Sequence, residues 1–202
     1  MSTVASSARS ASVQLTQSEF DAYARAGFNR VPVVHEASAD LETPLSIYLK
    51  LADRSHTYLL ESVIGGERFG RYSYIGLAAH TRIQAVGRHV SVIRGDAVIE
   101  RGDGADPLAF VRDYLARHKV PPIAGLPRFA GGLVGYFGYD TVRWMEPSLG
   151  AGWLKPDKLG CPDMLLAVSD ELAVIDNLTG RLHLIVYADP REQGALRAAR
   201  QR

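Results

Sequence analysis

The residues best suited to metal binding or nucleophilic catalysis in this 202-residue sequence are its histidines and its cysteine. The six histidines lie at positions 35, 56, 80, 89, 118 and 183. They form no HExxH sequence and no pair four residues apart, so no zinc site on a helix face is indicated. Cys161 has no second cysteine to pair with and no marked basic neighbour, which is typical of a structural thiol. The sequence also lacks the GxSxG turn of serine hydrolases, and we assign no catalytic residue.

Glycines recur at every third position in the sequence GLVGYFG, at residues 132, 135 and 138. This spacing differs from the GxGxxG of dinucleotide-binding loops, and no helix signal follows it. We expect these glycines to let a strand bend or pass close to another backbone. Tyr136, Phe137 and Tyr139 would then add aromatic area to the sheet.

The segment TYLLESVIGGERFGRYSYIG, residues 57–76, combines apolar alternation with a few polar groups. In a strand, Ser62 shares one face with Leu60 and Ile64, whereas Glu61 points the other way. A hydroxyl between two aliphatic side chains suits a ligand with a flat apolar body and one polar end. The pattern alone favours the plainer alternative that the serine bonds a nearby backbone group. The charged residues at 61, 67, 68 and 71 could likewise form a solvent-exposed salt-bridge cluster, which would contribute little to stability.

Three helices that would support these segments are predicted from their capping signals. Thr16 and Glu19 can form a capping box before a short helix that stops at Gly27. Threonine before proline at 43–44 and aspartate before proline at 106–107 begin the other two helices. Their predicted buried positions are Leu45, Tyr48, Leu49 and Ala52 in the second helix and Leu108, Val111 and Leu115 in the third.

Strands are predicted wherever the apolar period changes to two. Residues 31–35 form one strand, and the runs between 56 and 100 read as a single antiparallel meander. In the run TRIQAV, Ile83 and Ala85 alternate with Arg82 and Gln84, as in a sheet with one wet face. The later runs MLLAVSDELAVID and RLHLIVYAD flank a turn at 177–180 and read as a hairpin. Helices with antiparallel sheets and no regular βαβ alternation predict an α+β fold.

Composition narrows the possible partners and compartments. Lys and Arg number 23 against 22 Asp and Glu, a net charge of +1, which excludes the basic excess that nucleic-acid binding needs. Hydrophobic residues make up 47% and charged residues 22%, as in ordinary globular proteins. No run reaches the roughly 18 apolar residues of a membrane span, and the first dozen residues lack the apolar core of a secretory signal. We therefore expect a cytoplasmic protein that contacts neither nucleic acid nor membrane.

The last residues predict a helix that has only begun when the sequence stops. Asp189 and Pro190 provide the starting signal, and Ala195, Leu196 and Ala199 begin an apolar stripe before Arg202. Periodicity alone leaves two alternatives open, namely a truncated sequence or an ordinary frayed C-terminal helix.

Three sequence segments carry a resemblance to a known family. LLES at 59–62, followed by GRYSYIG at 70–76, resembles the feedback-inhibitor motif of anthranilate synthase component I. GGLVGYFGYDTVRWME at 131–146 is similar to the GG-x-VGY-x-GYD-x-VR signature of that family. LGCPDMLLAVSDELAVIDNLTGRLHLIV at 159–186 is similar to its LG-x-PDM strand pair. The resemblance covers about residues 40–188 in order, which is far more specific than one short motif.

The resemblance implies that L-tryptophan inhibits the enzyme allosterically at LLES, with Ser62 as the main binding residue and Glu61 and Leu60 beside it. Residues 16–188 would form the amino-terminal regulatory domain, after a disordered start at 1–15. Residues 189–202 would begin a helix leading to a chorismate-binding domain that is absent here. That absent part would hold all catalytic residues and the Mg²⁺ ion, so that this chain alone would be inactive.

In the complete enzyme, the resemblance implies a lyase that makes anthranilate and pyruvate from chorismate and ammonia in tryptophan biosynthesis. The ammonia would come from glutamine through a glutamine amidotransferase subunit, component II. Two alternatives are aminodeoxychorismate synthase component I of folate synthesis and a free-standing tryptophan-binding module. Glu61 and the GRYSYIG continuation favour the anthranilate enzyme over the folate enzyme, and a free-standing module would bind tryptophan tightly without any second half.

Overall fold

A computed structural model describes residues 15–61, 70–102, 106–149 and 157–202 of the chain. Its α-helices are α1 (Gln17–Arg25), α2 (Pro44–Leu51), α3 (Pro107–Ala116), α4 (Val142–Met145) and α5 (Ala195–Gln201), and short 3₁₀ helices span Tyr139–Thr141 and Pro147–Leu149. Its strands are β1 (Val31–Ser38), β2 (Tyr58–Leu60), β3 (Tyr72–Gly76), β4 (Thr81–Val86), β5 (His89–Arg94), β6 (Ala97–Gly102), β7 (Gly132–Phe137), β8 (Met164–Ser169), β9 (Glu171–Asp176) and β10 (Arg181–Ala188). The strand pairs of the described residues are antiparallel, which confirms the predicted α+β class.

The chain folds as two compact units that interleave along the sequence. The first unit consists of Met1–Ala78, His118–Gly131 and Asp170–Arg202. The second consists of Ala79–Arg117 and Gly132–Ser169. Each unit contains one five-stranded sheet.

The sheet of the first unit has the strand order β1-β10-β9-β3-β2, so β1 and β2 are its edges. On one face, Ile75 and Ala173 pack with Ile47 of α2 in a fully apolar cluster. On the other face, Val174 and Ile185 pack with side chains that include those of residues 126, 129 and 130. A third cluster joins the α1 and α5 helices to β1 through Phe20, Leu196 and Val31. Side chains of β3 and β9 therefore pack on both faces of the sheet.

The sheet of the second unit has the order β6-β5-β4-β8-β7. Its core contains Ile83, Val92, Met164 and Leu166, with Tyr114 of α3 packed against them. Ile83 and Ala85 are fully buried while their neighbours in β4 are partly exposed, which confirms the predicted alternation of that strand.

The predicted single meander is wrong at one point. β3 pairs with β2 and β9, whereas β4 pairs with β5 and β8, so β3 and β4 belong to different sheets. Among the described strands of this run, β4, β5 and β6 form a meander. The alternation within each strand was read correctly, but a period of two does not say which strand is the neighbour. The hairpin of β9 and β10 around residues 177–180 is confirmed.

The three predicted capping signals are present, and the predicted buried faces are partly wrong. Thr16 and Thr43 form capping boxes, and the Asp106 side chain accepts from the Leu108 N–H group. In α2, however, Leu45 and Leu49 are 54% and 56% exposed, and Ile47 is buried in their place. In α3, Leu115 is exposed and Tyr114 is buried. Short helices with apolar residues on several sides leave the buried side to be chosen by the surrounding packing.

The glycine interpretation is confirmed at Gly135, which faces its neighbour strand without a side chain. A Cβ atom there would lie 1.9 Å from the carbonyl oxygen of Leu165, far inside contact distance. The aromatic residues nearby are less buried than expected, because Tyr139 lies in a 3₁₀ helix and is 93% exposed.

The last helix begins later than predicted. Asp189 caps a turn by accepting from the Arg191 N–H group, and α5 starts only at Ala195, after Gly194 in the left-handed region at φ 77°. Glycine allows that backbone conformation at little cost. The predicted boundaries near residues 15 and 188 stay predictions, and the predicted disordered start, residues 1–15, lies outside the described residues except for Leu15.

Candidate functional site

The short edge strand β2 carries two of the three predicted ligand-binding residues at or just beyond its end. Within the described residues it pairs with β3 alone, and the facing residues are Tyr58 with Gly76, Leu59 with Ile75, and Leu60 with Tyr74. Leu59 packs against the apolar cluster around Ile75. Leu60 is 47% exposed on the opposite face. The two side chains therefore point in opposite directions, as in a regular strand.

The strand ends at Leu60, and the next residue, Glu61, is exposed and has no strand conformation. Ser62 lies outside the described residues. The sequence predicted that side chains alternate between the two faces along residues 59–64. The structure describes this segment only up to Glu61.

The start of β2 packs against β3 through an aromatic ring over a glycine. A Cβ atom on Gly76 would lie 1.9 Å from Cε1 of Tyr58 and 2.3 Å from its Cζ, so the Tyr58 ring occupies the space of a side chain. Any larger residue at 76 would displace this ring.

The other end of β3 is tied to β9 by a bidentate ion pair. Arg71 donates from Nε to both carboxylate oxygens of Asp176 at 3.1 and 3.2 Å, and from Nη2 to Oδ2 at 2.8 Å. The side chain of Asp176 is 5% exposed, and that of Arg71 is 40% exposed. Burial alone would raise the pKa of Asp176, but hydrogen bonds from Arg71, the Leu178 N–H group and Thr179 outweigh it and lower that pKa. Asp176 is therefore held as a carboxylate.

Asn177, the next residue, adds contacts on both sides of Arg71. Its Nδ2 donates to the carbonyl of Gly70 at 3.0 Å and to Oγ of Ser73 at 3.1 Å. Its backbone N–H donates to the carbonyl of Arg71 at 2.7 Å. Ser73 is fully buried, so the turn after β9 holds residues 70–73 by several directed bonds.

An aromatic group adjoins the exposed side of Leu60. Tyr74, its partner in register, lies edge-to-face with Phe129 at 5.4 Å and near Tyr72 at 6.1 Å. Burial raises the pKa of Tyr74, although a hydrogen bond with the Phe129 backbone opposes this shift. Leu60 therefore extends an apolar and aromatic surface on this face of the sheet.

A separate polar groove of about 390 Å³ lies at the β1 side of the same sheet, away from β2. Glu36 accepts from Arg181 there at 2.9 Å. The buried His183 has its Nδ1 3.6 Å from Glu36 and makes no hydrogen bond through that atom.

Within the described residues, no three side chains of His, Cys, Asp or Glu lie together in a way that could hold a metal ion. The described part of the chain thus offers no ligand set that fits Mg²⁺. No helix in that part is long and apolar enough to cross a membrane.

Comparison with known proteins gives consistent relatives, although no protein-family model matches the chain. Anthranilate synthase component 1 of Neisseria meningitidis serogroup B is 52% identical over 190 residues, which cover 93% of this chain. The protein of that name from Pseudomonas aeruginosa is 54% identical over 181 residues, or 90% of this chain. The crystal structure of anthranilate synthase component I from Streptococcus pneumoniae TIGR4 matches with a TM-score of 0.50 and 27% identity, covering 82% of this chain and 35% of that one.

Over the part that it shares with these relatives, the chain belongs to the anthranilate synthase component I family. It spans 38% of the Neisseria protein and 37% of the Pseudomonas protein. The family resemblance and the α+β class predicted from the sequence are both confirmed.

Of the three predicted inhibitor residues, Leu60 ends the edge strand β2 and Glu61 follows it, whereas Ser62 lies outside the described residues. The sequence interpretation of Arg71 as part of a solvated cluster is wrong, because its partner is the buried Asp176. Asp176 and Asn177 were missed altogether. One signal was available, since an acidic residue ends the otherwise apolar run LAVI, and a buried acid requires a partner.

Proposed function

We propose that this chain supplies the amino-terminal, tryptophan-responsive part of an anthranilate synthase component I. The complete protein would convert chorismate and ammonia to anthranilate and pyruvate in tryptophan biosynthesis, with ammonia from a glutamine amidotransferase subunit. The observation that carries this proposal is the identity of 52–54% to proteins of that name, spread over 90–93% of the chain. Such a match includes both compact units and does not depend on one motif.

In this proposal, chorismate and Mg²⁺ bind to residues that the relatives have and this chain does not. The role left for this chain is regulation.

The proposed inhibitor residues are Leu60, Glu61 and Ser62. The half-exposed Leu60 and the aromatic surface beside it suit an indole ring, which requires apolar contacts. The exposed Glu61 can accept hydrogen bonds from an ammonium group, and the Ser62 hydroxyl can donate to a carboxylate. These chemical types support an amino acid with a large apolar side chain as the ligand.

The first test uses the protein encoded by the complete reading frame that contains these 202 codons. Ser62→Phe should fill the inhibitor site and raise the half-inhibitory tryptophan concentration by about tenfold or more, the equivalent of roughly 1.4 kcal/mol. Turnover of chorismate with ammonia should stay within about twofold, because the change lies outside the active site.

Ser38→Phe is the matched control, since Ser38 is an exposed serine at the end of the opposite edge strand. It should leave inhibition unchanged. Unaltered inhibition in Ser62→Phe would refute the site, and aminodeoxychorismate in place of anthranilate as the product would refute the proposed reaction.

A second test uses the 202-residue chain alone. It should form no anthranilate from chorismate, ammonium and Mg²⁺ in a fluorescence assay. Detectable turnover would contradict the division of roles. Tight tryptophan binding by the isolated chain in calorimetry would instead favour a free-standing binding module.

A further inference from the structure

The backbone of β2 is paired with β3, and its side chains also contact α2. β2 has three residues and lies at the sheet edge, where β3 is its one backbone partner among the residues that the structure describes. Short edge strands with one neighbour contribute little stability of their own. The placement of Leu60 and Glu61 therefore depends in part on the placement of β3.

β3 is in turn bonded where it begins, by Asp176 at the end of β9 and by Asn177 just after it. The Arg71 guanidinium donates hydrogen bonds from Nε and Nη2 to the Asp176 carboxylate, and the side chain of Asp176 is almost fully buried. A planar guanidinium bound in this bidentate way fixes direction as well as distance. Neither a single lysine ammonium nor a water molecule can restore that geometry.

Asn177 reinforces the same connection without burying a charge. Its side-chain amide bridges Gly70 and Ser73, the residues that flank Arg71 and Tyr72. Asp176 and Asn177 thus bond three residues at the start of β3, namely Gly70, Arg71 and Ser73. We name the set Arg71, Asp176 and Asn177 the β3 clamp.

We propose that the β3 clamp positions the edge strand β2 for tryptophan inhibition, so that its members are positioning residues for regulation and take no part in turnover. This inference rests on the proposed function, because it assigns inhibition to the residues at the end of β2. It also makes a separate statement about the chain itself, namely that breaking the clamp loosens β2.

The experiment compares Arg71→Ala and Asn177→Ala with Arg117→Ala. Arg117 is a close match to Arg71, since it makes a bidentate pair with Glu100 at 2.7 and 2.7 Å and lies over the Tyr114 ring at 5.6 Å. Arg71 lies over the Tyr72 ring at 4.9 Å. The Arg117 pair belongs to the second unit, which contains none of the inhibitor residues.

In the protein from the complete reading frame, Arg71→Ala should raise the half-inhibitory tryptophan concentration by at least about fivefold, and Asn177→Ala by about two- to fivefold. Both should leave kcat and the KM for chorismate within about twofold, and Arg71→Lys should recover part of the lost sensitivity. Arg117→Ala should leave inhibition unchanged. In parallel, amide hydrogen exchange of the peptide 57–61 should speed up in Arg71→Ala and Asn177→Ala only.

Equal shifts in Arg71→Ala and Arg117→Ala would overturn the proposal, since they would indicate general destabilisation. Normal inhibition in a folded Asn177→Ala variant with unchanged exchange would overturn it as well, even if Arg71→Ala failed to fold. The Ser62→Phe variant distinguishes a failure of the β3 clamp proposal from a failure of the proposed inhibitor site. If it relieves inhibition while the clamp variants do not, only the clamp is wrong, and if it leaves inhibition intact, the proposed inhibitor site is wrong.

Discussion

Replacing Gly76 by alanine tests how β2 is held to the sheet. The new Cβ atom would lie 1.9 Å from Cε1, 2.3 Å from Cζ and 2.4 Å from Cδ1 of Tyr58, so the whole ring must move. The backbone of Gly76 lies outside the left-handed region, and alanine itself is therefore compatible with it. The effect of the substitution should come from the ring alone.

The expected change in the free energy of unfolding combines two opposing effects. Overpacking a well-filled site costs about 1–3 kcal/mol. Alanine in place of glycine within a strand recovers roughly 0.5–1 kcal/mol of backbone entropy. We expect Gly76→Ala to lower the free energy of unfolding by about 1–2 kcal/mol, measured by urea denaturation followed by far-UV circular dichroism.

A double-mutant cycle with Tyr58→Ala isolates the contact. Once the ring is removed, Gly76→Ala should be neutral or stabilising by about 0.5 kcal/mol, because only the entropy term remains. A loss of stability of the same size with and without the Tyr58 ring would refute the reasoning. So would a Gly76→Ala variant as stable as the parent chain.

Three further predictions concern other parts of the chain. Gly135→Ala should cost more than Gly76→Ala, about 3 kcal/mol or more by urea denaturation, because its Cβ would meet the Leu165 backbone, which cannot rotate away. Ile47→Ala should cost about 2–4 kcal/mol while Leu49→Ala costs under about 1 kcal/mol, since the first side chain is 3% exposed and the second 56%; equal losses would contradict the observed face of α2. The lowered pKa of Asp176 means that its contribution to stability is present above its ordinary pKa of 3.8 and is lost as the pH falls towards the lowered value. The stability difference between the parent chain and Asp176→Asn should therefore shrink between pH 7 and pH 3, and a constant difference would contradict this assignment.

Local features of the fold were predictable from the sequence. The capping box at Thr16 and the N-cap at Thr43 depend on residues at most three apart, and both are present. The hairpin turn after β9 and the alternation of β4 are likewise set by neighbouring residues. In each case the deciding interaction lies within one turn or one strand, so the sequence pattern contains it.

Pairing across the chain was not predictable in the same way. The runs from β2 to β6 have the same period of two, yet β3 and β4 lie in different sheets. Whether Leu45 or Ile47 of α2 is buried depends on which side meets the sheet. A helix that is apolar on several sides satisfies either arrangement locally, and only the packed neighbours distinguish them.

The candidate site, too, was predictable from the sequence only in part. The sequence by itself determined the family, through ordered motifs that include LLES, and directed attention to Leu60, Glu61 and Ser62. Only the tertiary structure decided that β2 is an edge strand supported by β3, and that Arg71 meets Asp176 across 105 positions of sequence. The physical reason is that a side chain's type limits which partners it can accept, whereas its actual partner is selected when distant segments pack and exclude water.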